Sequence, residues 1–133
     1  MFREYAAWIG EDFWGKGFEE ELAALPGYYE ALLVARDDEG ALIGSAAVRR
    51  LRDGTAELRR LYVRPPARGI GLGKKLAAAA VDRARELGYA VLRLDTLPRM
   101  EVARGIYESL GFEPCEPYSD NPIPGVIFYE LRL

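Results

Sequence analysis

The residues best suited to chemistry lie between Glu57 and Lys75, ELRRLYVRPPARGIGLGKK. Their core is Arg68-x-x-Gly71-x-Gly73, followed by Lys74 and then by a helix-forming run. The first NH groups of a helix have no intrahelical partner, and the helix dipole is positive there, so a helix start attracts anions. Gly69, Gly71 and Gly73 let main chain approach a ligand closely or take positive φ, while Arg68 and Lys74 add charge. The pattern suits the cradle of a diphosphate. It is not a Walker A loop, because Gly73-Lys74 is followed by Lys75 where that loop needs Ser or Thr. It is not a dinucleotide fingerprint either, because glycines at 69, 71 and 73 have the wrong spacing.

The elements that must hold this loop can be read from hydrophobic periodicity. Ala31 to Arg36, Ala41 to Leu51 and Ala56 to Val63 read as three strands. Asp37-Asp38-Glu39-Gly40 and Arg52-Asp53-Gly54-Thr55 join them as turns, so an antiparallel meander is expected. Pro65 and Pro66 end the third strand, since neither can donate to a ladder. A helix is expected from about Gly71 to Leu87, with Leu72, Leu76, Ala80, Ala84 and Leu87 as its apolar stripe and Gly88 as its C-cap. Ala90 to Thr96 reads as a strand. Pro98 opens a second helix with Val102, Ile106 and Leu110 on its buried face and Gly111 after its end. Phe112 to Tyr118 and Val126 to Leu133 close the chain as strands. Ahead of all these, Phe2 to Ile9 and Phe18 to Leu25 have helical spacing around the link Phe13-Trp14-Gly15-Lys16-Gly17.

The order strand, Arg-x-x-Gly-x-Gly, helix, followed by Ala103-Arg-Gly-Ile-Tyr107-Glu-Ser-Leu-Gly111-Phe112, resembles the GNAT superfamily of N-acetyltransferases over nearly the whole chain. The resemblance implies an α/β fold with a mixed, mostly antiparallel sheet flanked by helices, in one domain spanning residues 1–133. It implies acetyl-CoA as co-substrate, with Arg68, Gly69, Ile70, Gly71, Leu72, Gly73 and Lys74 around the pyrophosphate. The main chain of Leu61, Tyr62 and Val63 would pair with the pantetheine arm and polarise the thioester carbonyl. Tyr107 stands where the family places the acid that protonates the CoA thiolate; it reads equally as a core tyrosine beside Ile106. Glu57 stands where many members place a general base, with a pKa expected to rise near the floor of a cleft. Flanked by Arg59 and Arg60, it also reads as a surface ion pair.

Two features depart from the family pattern. The first β-strand is missing, leaving Ala31 to Arg36 as an exposed edge or a strand covered by the N-terminal helix. Met100 stands where many members have an asparagine that bonds the cofactor arm, and methionine cannot donate that bond. Trp14, Phe18, Tyr118 and Asn121 are the candidate acceptor-binding residues. With Glu11, Asp12 and Asp120 they suit a cationic amine, or else form a solvated acidic surface over core aromatics.

Composition narrows the chemistry further. The chain has 133 residues, a net charge of -3, no histidine and one cysteine. Histidine triads, histidine bases and most zinc sites are therefore absent, and no metal is called for. Cys115 has no histidine to activate it and reads as a buried strand residue. Nine basic residues between Arg49 and Lys75 face only Asp53 and Glu57 in the same stretch. In an otherwise acidic protein that zone fits a polyanionic cofactor better than nucleic acid. No run approaches the ~20 apolar residues of a membrane span and no signal peptide is visible, so a cytoplasmic location fits and no membrane partner is expected. The partner implied is a small-molecule or peptide amine; a homodimer is a possible assembly. The reading from another class is a regulatory acyl-CoA-binding module of the same fold without turnover.

Overall fold

The computed structural model describes residues 30–65, 71–119 and 123–133. The chain runs β1 (Ala31–Arg36), β2 (Leu42–Arg52), β3 (Thr55–Val63), α1 (Leu72–Glu86), β4 (Val91–Thr96), α2 (Glu101–Ser109), β5 (Glu113–Pro114) and β6 (Ile127–Arg132). The strands form one sheet in the order β1-β2-β3-β4-β6-β5, in which only β3 and β4 pair in parallel. This is the mixed, mostly antiparallel sheet that the sequence predicts.

The meander forms where the turn residues require it. Asp37 Oδ1 accepts the backbone NH groups of Glu39 and Ala41, both at 2.9 Å. Gly54 takes φ 75° in the β2–β3 turn. Its carbonyl then receives the NH groups of Ala90 and Val91, at 2.8 and 3.1 Å, which ties the start of β4 to that turn. Both helices end in the same way, with a glycine at positive φ and an NH reaching back one turn: Tyr89 to Ala84, and Phe112 to Tyr107. This is the Schellman closure that Gly88 and Gly111 permit.

Successive strand residues point to opposite faces. Val48, Ala56, Leu58, Leu92, Leu94 and Tyr129 are buried on one face, in a single core with Leu76, Ala77, Ala80, Val81 and Ala84 of α1 and with Tyr107 and Phe112. The three alanines keep α1 close to the sheet.

Several expectations need correction. Val102 is 81% exposed and Leu87 is 37% exposed, so neither belongs to a buried stripe. On α2 the burial centres on Tyr107, because nine residues make only two and a half turns and the face toward α1 falls on Ala103, Ile106 and Tyr107. The helix begins at Glu101 and not at Pro98, after a turn in which Met100 NH bonds Leu97 O at 2.9 Å. The strand expected from Phe112 to Tyr118 shrinks to Glu113–Pro114; Pro114 and Pro117 remove two NH donors from that stretch. β1 is an edge strand, and Leu32 and Val34 on it are 43% and 44% exposed. The N-terminal helices and the missing first strand lie outside the described residues.

Candidate active site

The face of the sheet turned away from the helices carries a row of charge. Register places Arg49 (β2) opposite Glu57 (β3), Glu57 opposite Arg93 (β4), Arg93 opposite Glu130 (β6) and Glu130 opposite Glu113 (β5). Residues directly opposite share a face, and opposite charges there attract. Glu57 is the centre of the row and only 3% exposed.

Three donors hold its carboxylate. Arg49 Nε lies 2.7 Å and an Arg59 terminal nitrogen 3.2 Å from Oε1, and the Tyr118 hydroxyl donates to Oε2 at 2.7 Å. Burial pushes the Glu57 pKa up, but the charges of Arg59 and Arg49 and the hydrogen bonds from Tyr118 and Arg49 outweigh it, and the net shift is downward. The rise expected from a cleft floor is thus reversed: the cleft is dry, but it is also cationic. Glu57 is ion-paired, as the alternative reading held, yet it is buried and not at the surface.

Tyr118 is the residue that joins two separately predicted parts of the site. Its ring meets Phe128 edge to face at 5.1 Å, and the Arg93 guanidinium stands over it at 5.8 Å. Burial, then the Glu57 and Asp95 charges and the bond to Glu57, hold its phenol far above the ordinary tyrosine range. It therefore remains a proton donor to Glu57 throughout the working pH range. Tyr118→Phe should lower stability by about 1 kcal/mol and raise the Glu57 pKa. A carbon-13 carboxyl titration checks this; an unmoved Glu57 midpoint would show that the hydroxyl is not bonded there.

β3 changes character beyond Glu57. Its parallel ladder with β4 covers only Thr55, Ala56 and Glu57, so the strand runs on through Val63 outside that ladder. On its other side the register with β2 slips between Ala47↔Arg59 and Ser45↔Tyr62, which inserts one extra residue in β3. The extra residue is at Arg60, whose φ is 57°, and Ser45 Oγ donates to its carbonyl at 2.9 Å. A bulge re-aims the main chain that follows it, here Leu61, Tyr62 and Val63. No glycine or asparagine marks the position, so nothing in the sequence signals it.

α1 starts at Leu72, with Gly71 as N-cap at φ 79° and ψ 8°. A Cβ on Gly71 would meet nothing within 4 Å, so the space over this helix start is open. Its first turn has no acidic residue, and Lys74 and Lys75 are exposed there. These features fit a phosphate group. Gly73 has a different task from the one expected: a Cβ would lie 3.1 Å from Ile106 Cδ1, so its bareness lets α2 approach α1. Arg68, Gly69 and Ile70 lie outside the described residues, as do Trp14, Phe18 and Asn121.

Tyr107 is 6% exposed and packs against Phe112 (5.8 Å) and Tyr129 (6.3 Å). Cys115 is half-buried, and burial pushes its thiol pKa up, away from an activated thiolate. Among the described residues no helix is long and apolar enough to cross a membrane, and no cluster of three His, Cys, Asp or Glu is placed to hold a metal ion. Arg93 and Glu130 were not singled out from the sequence. The available signal was a charged residue at alternate positions of otherwise apolar strands.

Residues 2–112 match the acetyltransferase (GNAT) family, and the chain belongs to that family. An uncharacterized N-acetyltransferase of Schizosaccharomyces pombe is 37% identical over 138 aligned positions, covering 100% of this chain and 85% of that protein. Among solved structures, a provisional acyl-CoA N-acyltransferase of Klebsiella pneumoniae subsp. pneumoniae superposes with a TM-score of 0.74 at 28% identity, covering 88% of this chain and 85% of its own. A GNAT family acetyltransferase of Elizabethkingia anophelis, solved with acetyl-CoA bound, shares the fold with a TM-score of 0.71 at 19% identity, covering 86% and 83%.

Proposed function

We propose that this chain moves the acetyl group of acetyl-CoA to the primary amine of a small molecule or peptide, by direct attack within a ternary complex. The observation that carries the reading is the arrangement around β3. The strand leaves its ladder with β4 at Glu57, bulges at Arg60 and leads toward an open, cationic helix start. An extended thioester arm laid along β3 would have its phosphates at α1 and its carbonyl near Leu61, Tyr62 and Val63. Gly71, Leu72, Gly73 and Lys74, with Arg68, Gly69 and Ile70 before them, would hold the pyrophosphate through main chain and charge.

No enzyme acyl intermediate is needed when both substrates are held together. The amine nitrogen attacks the carbonyl carbon, the C–S bond breaks, and the thiolate takes a proton. Glu57, ionised at neutral pH, attracts the acceptor ammonium and takes up its proton directly or through water. Tyr107 supplies a proton to the thiolate. The free-thiol release assay with acetyl-CoA and a panel of amines tests the reading, and acetyl-CoA should raise the melting temperature where ATP and NAD do far less. Binding without thiol release would turn the protein into an acyl-CoA-binding module.

Tyr107→Phe keeps the ring packed on Phe112 and Tyr129 and removes only the hydroxyl. Turnover should fall ~10- to 1000-fold with cofactor affinity unchanged. Unchanged turnover would return Tyr107 to a packing role, leaving water as the acid.

A further inference from the structure

We propose that the acceptor amine also carries an anionic group, a carboxylate in the first instance, which is read by Arg93 and Arg52 in the cavity beside Glu57. This rests on the acetyl-transfer reading and specifies its substrate. The cavity is about 780 Å3, a size that suits a small molecule or the end of a peptide. Tyr118 is its link to the chemistry, since the residue lines the cavity while its hydroxyl is bonded to Glu57 Oε2. A molecule whose amine reaches Glu57 passes Tyr118, and its remainder lies in this cavity.

The walls favour an anion there. Arg93 gives its Nε to Glu130 Oε2 at 3.3 Å and stacks over Tyr118. Its two terminal NH2 groups make no hydrogen bond among the described residues. That outer fork is the geometry that takes a carboxylate in bidentate fashion. Arg52, at the end of β2, lines the same cavity and makes no ion pair among the described residues. Of the acids on the wall, Glu130 is already answered by Arg93 and Glu116 is exposed. An acceptor with a second cation, such as a polyamine, would bring like charge against both arginines. The acidic surface expected around Tyr118 is therefore half the picture: carboxylate at the Glu57 end, guanidinium beyond it.

The experiment pairs γ-aminobutyrate, L-glutamate and L-phenylalanine each with its carboxamide, and adds putrescine. Thiol release and thermal shift in the presence of CoA are both recorded. The carboxylate member of at least one pair should exceed its amide ~10-fold or more in kcat/KM, with putrescine below both. Arg93→Gln should erase that ratio by raising KM for the carboxylate alone. Arg52→Gln, at an exposed side chain that folding does not need, should lower the ratio in the same direction. Equal values for acid and amide in wild type, or equal losses for both in the two variants, overturn the inference. If no amine releases thiol, the transfer reading fails by itself; the thermal shifts then decide, and equal shifts for acid and amide sink the cavity assignment.

Discussion

Gly71→Asp should weaken acetyl-CoA binding ~100-fold or more, while Gly71→Asn weakens it much less. The backbone sets up this comparison. Gly71 has φ 79°, and a Cβ there would touch nothing within 4 Å, so either side chain fits in space. Asn and Asp tolerate left-handed φ better than other residues, so both variants bear a similar, modest strain. They differ in charge. An aspartate at the N-cap of α1 would place a negative charge and a competing acceptor over the NH groups of Leu72 and Gly73, where a pyrophosphate would lie. In the free protein the same aspartate should cap the helix and favour folding. The expected signature is thus a melting temperature held or raised without ligand, combined with loss of the acetyl-CoA-induced rise. Isothermal titration gives the affinity. Equal weakening in the Asn and Asp variants would mean that the loop reads shape and not phosphate charge. Undiminished binding in Asp would place the cradle elsewhere.

The sequence discloses what local rules control. Asp-Gly and Asp-x-x-Gly placed the turns, Gly88 and Gly111 closed the helices, and the apolar alternation of β2, β3 and β4 gave the meander and its continuation. Those signals act within a few residues, so they survive without knowledge of the partner strands. The site was less legible because it depends on register. Glu57 was singled out, but its environment is set by Arg49 on one neighbour and Tyr118, 61 residues away, on the other side. Only the fold brings them together, which is why the sign of its pKa shift came out opposite to the expectation. The bulge at Arg60 had no glycine to mark it, and the pairing of Arg93 with Glu130 was hidden in strands read for their apolar residues. On α2, Val102, Ile106 and Leu110 have the spacing of a buried face, but a short helix needs one centred contact, and Tyr107 provides it. The exposed Val102 shows that periodicity places a stripe only to within about one residue in a helix this short.

Glu57→Gln should lower kcat/KM at neutral pH by ~100- to 10,000-fold, with the deficit narrowing as pH rises toward the acceptor's own pKa, about 10.4 for a lysine-like amine. The narrowing follows because an amine that has already lost its proton needs no base. The wild-type profile should carry no Glu57 inflection between pH 5 and 7, since its carboxyl is held below the ordinary value of 4.5 by Arg59, Arg49 and Tyr118 against the upward push of burial. In that interval the only expected rise is the acceptor's own. An inflection there that vanishes in Glu57→Gln would mean that the acceptor displaces Tyr118 or an arginine and frees the carboxylate to titrate higher. Stability gives an independent reading. A depressed folded-state pKa stabilises the protein above the unfolded value and loses that contribution as pH falls through the folded one. Glutamine keeps one acceptor for Arg49 but leaves the guanidinium charges unanswered in a buried place. Wild type should therefore exceed Glu57→Gln by about 2–3 kcal/mol at pH 7 in urea unfolding. The gap should be complete above about pH 4.5 and close progressively below it as Glu57 takes up its proton. A gap that stays constant down to pH 2–3 would show that the variant suffers from packing alone and that the carboxylate charge does not hold the row together.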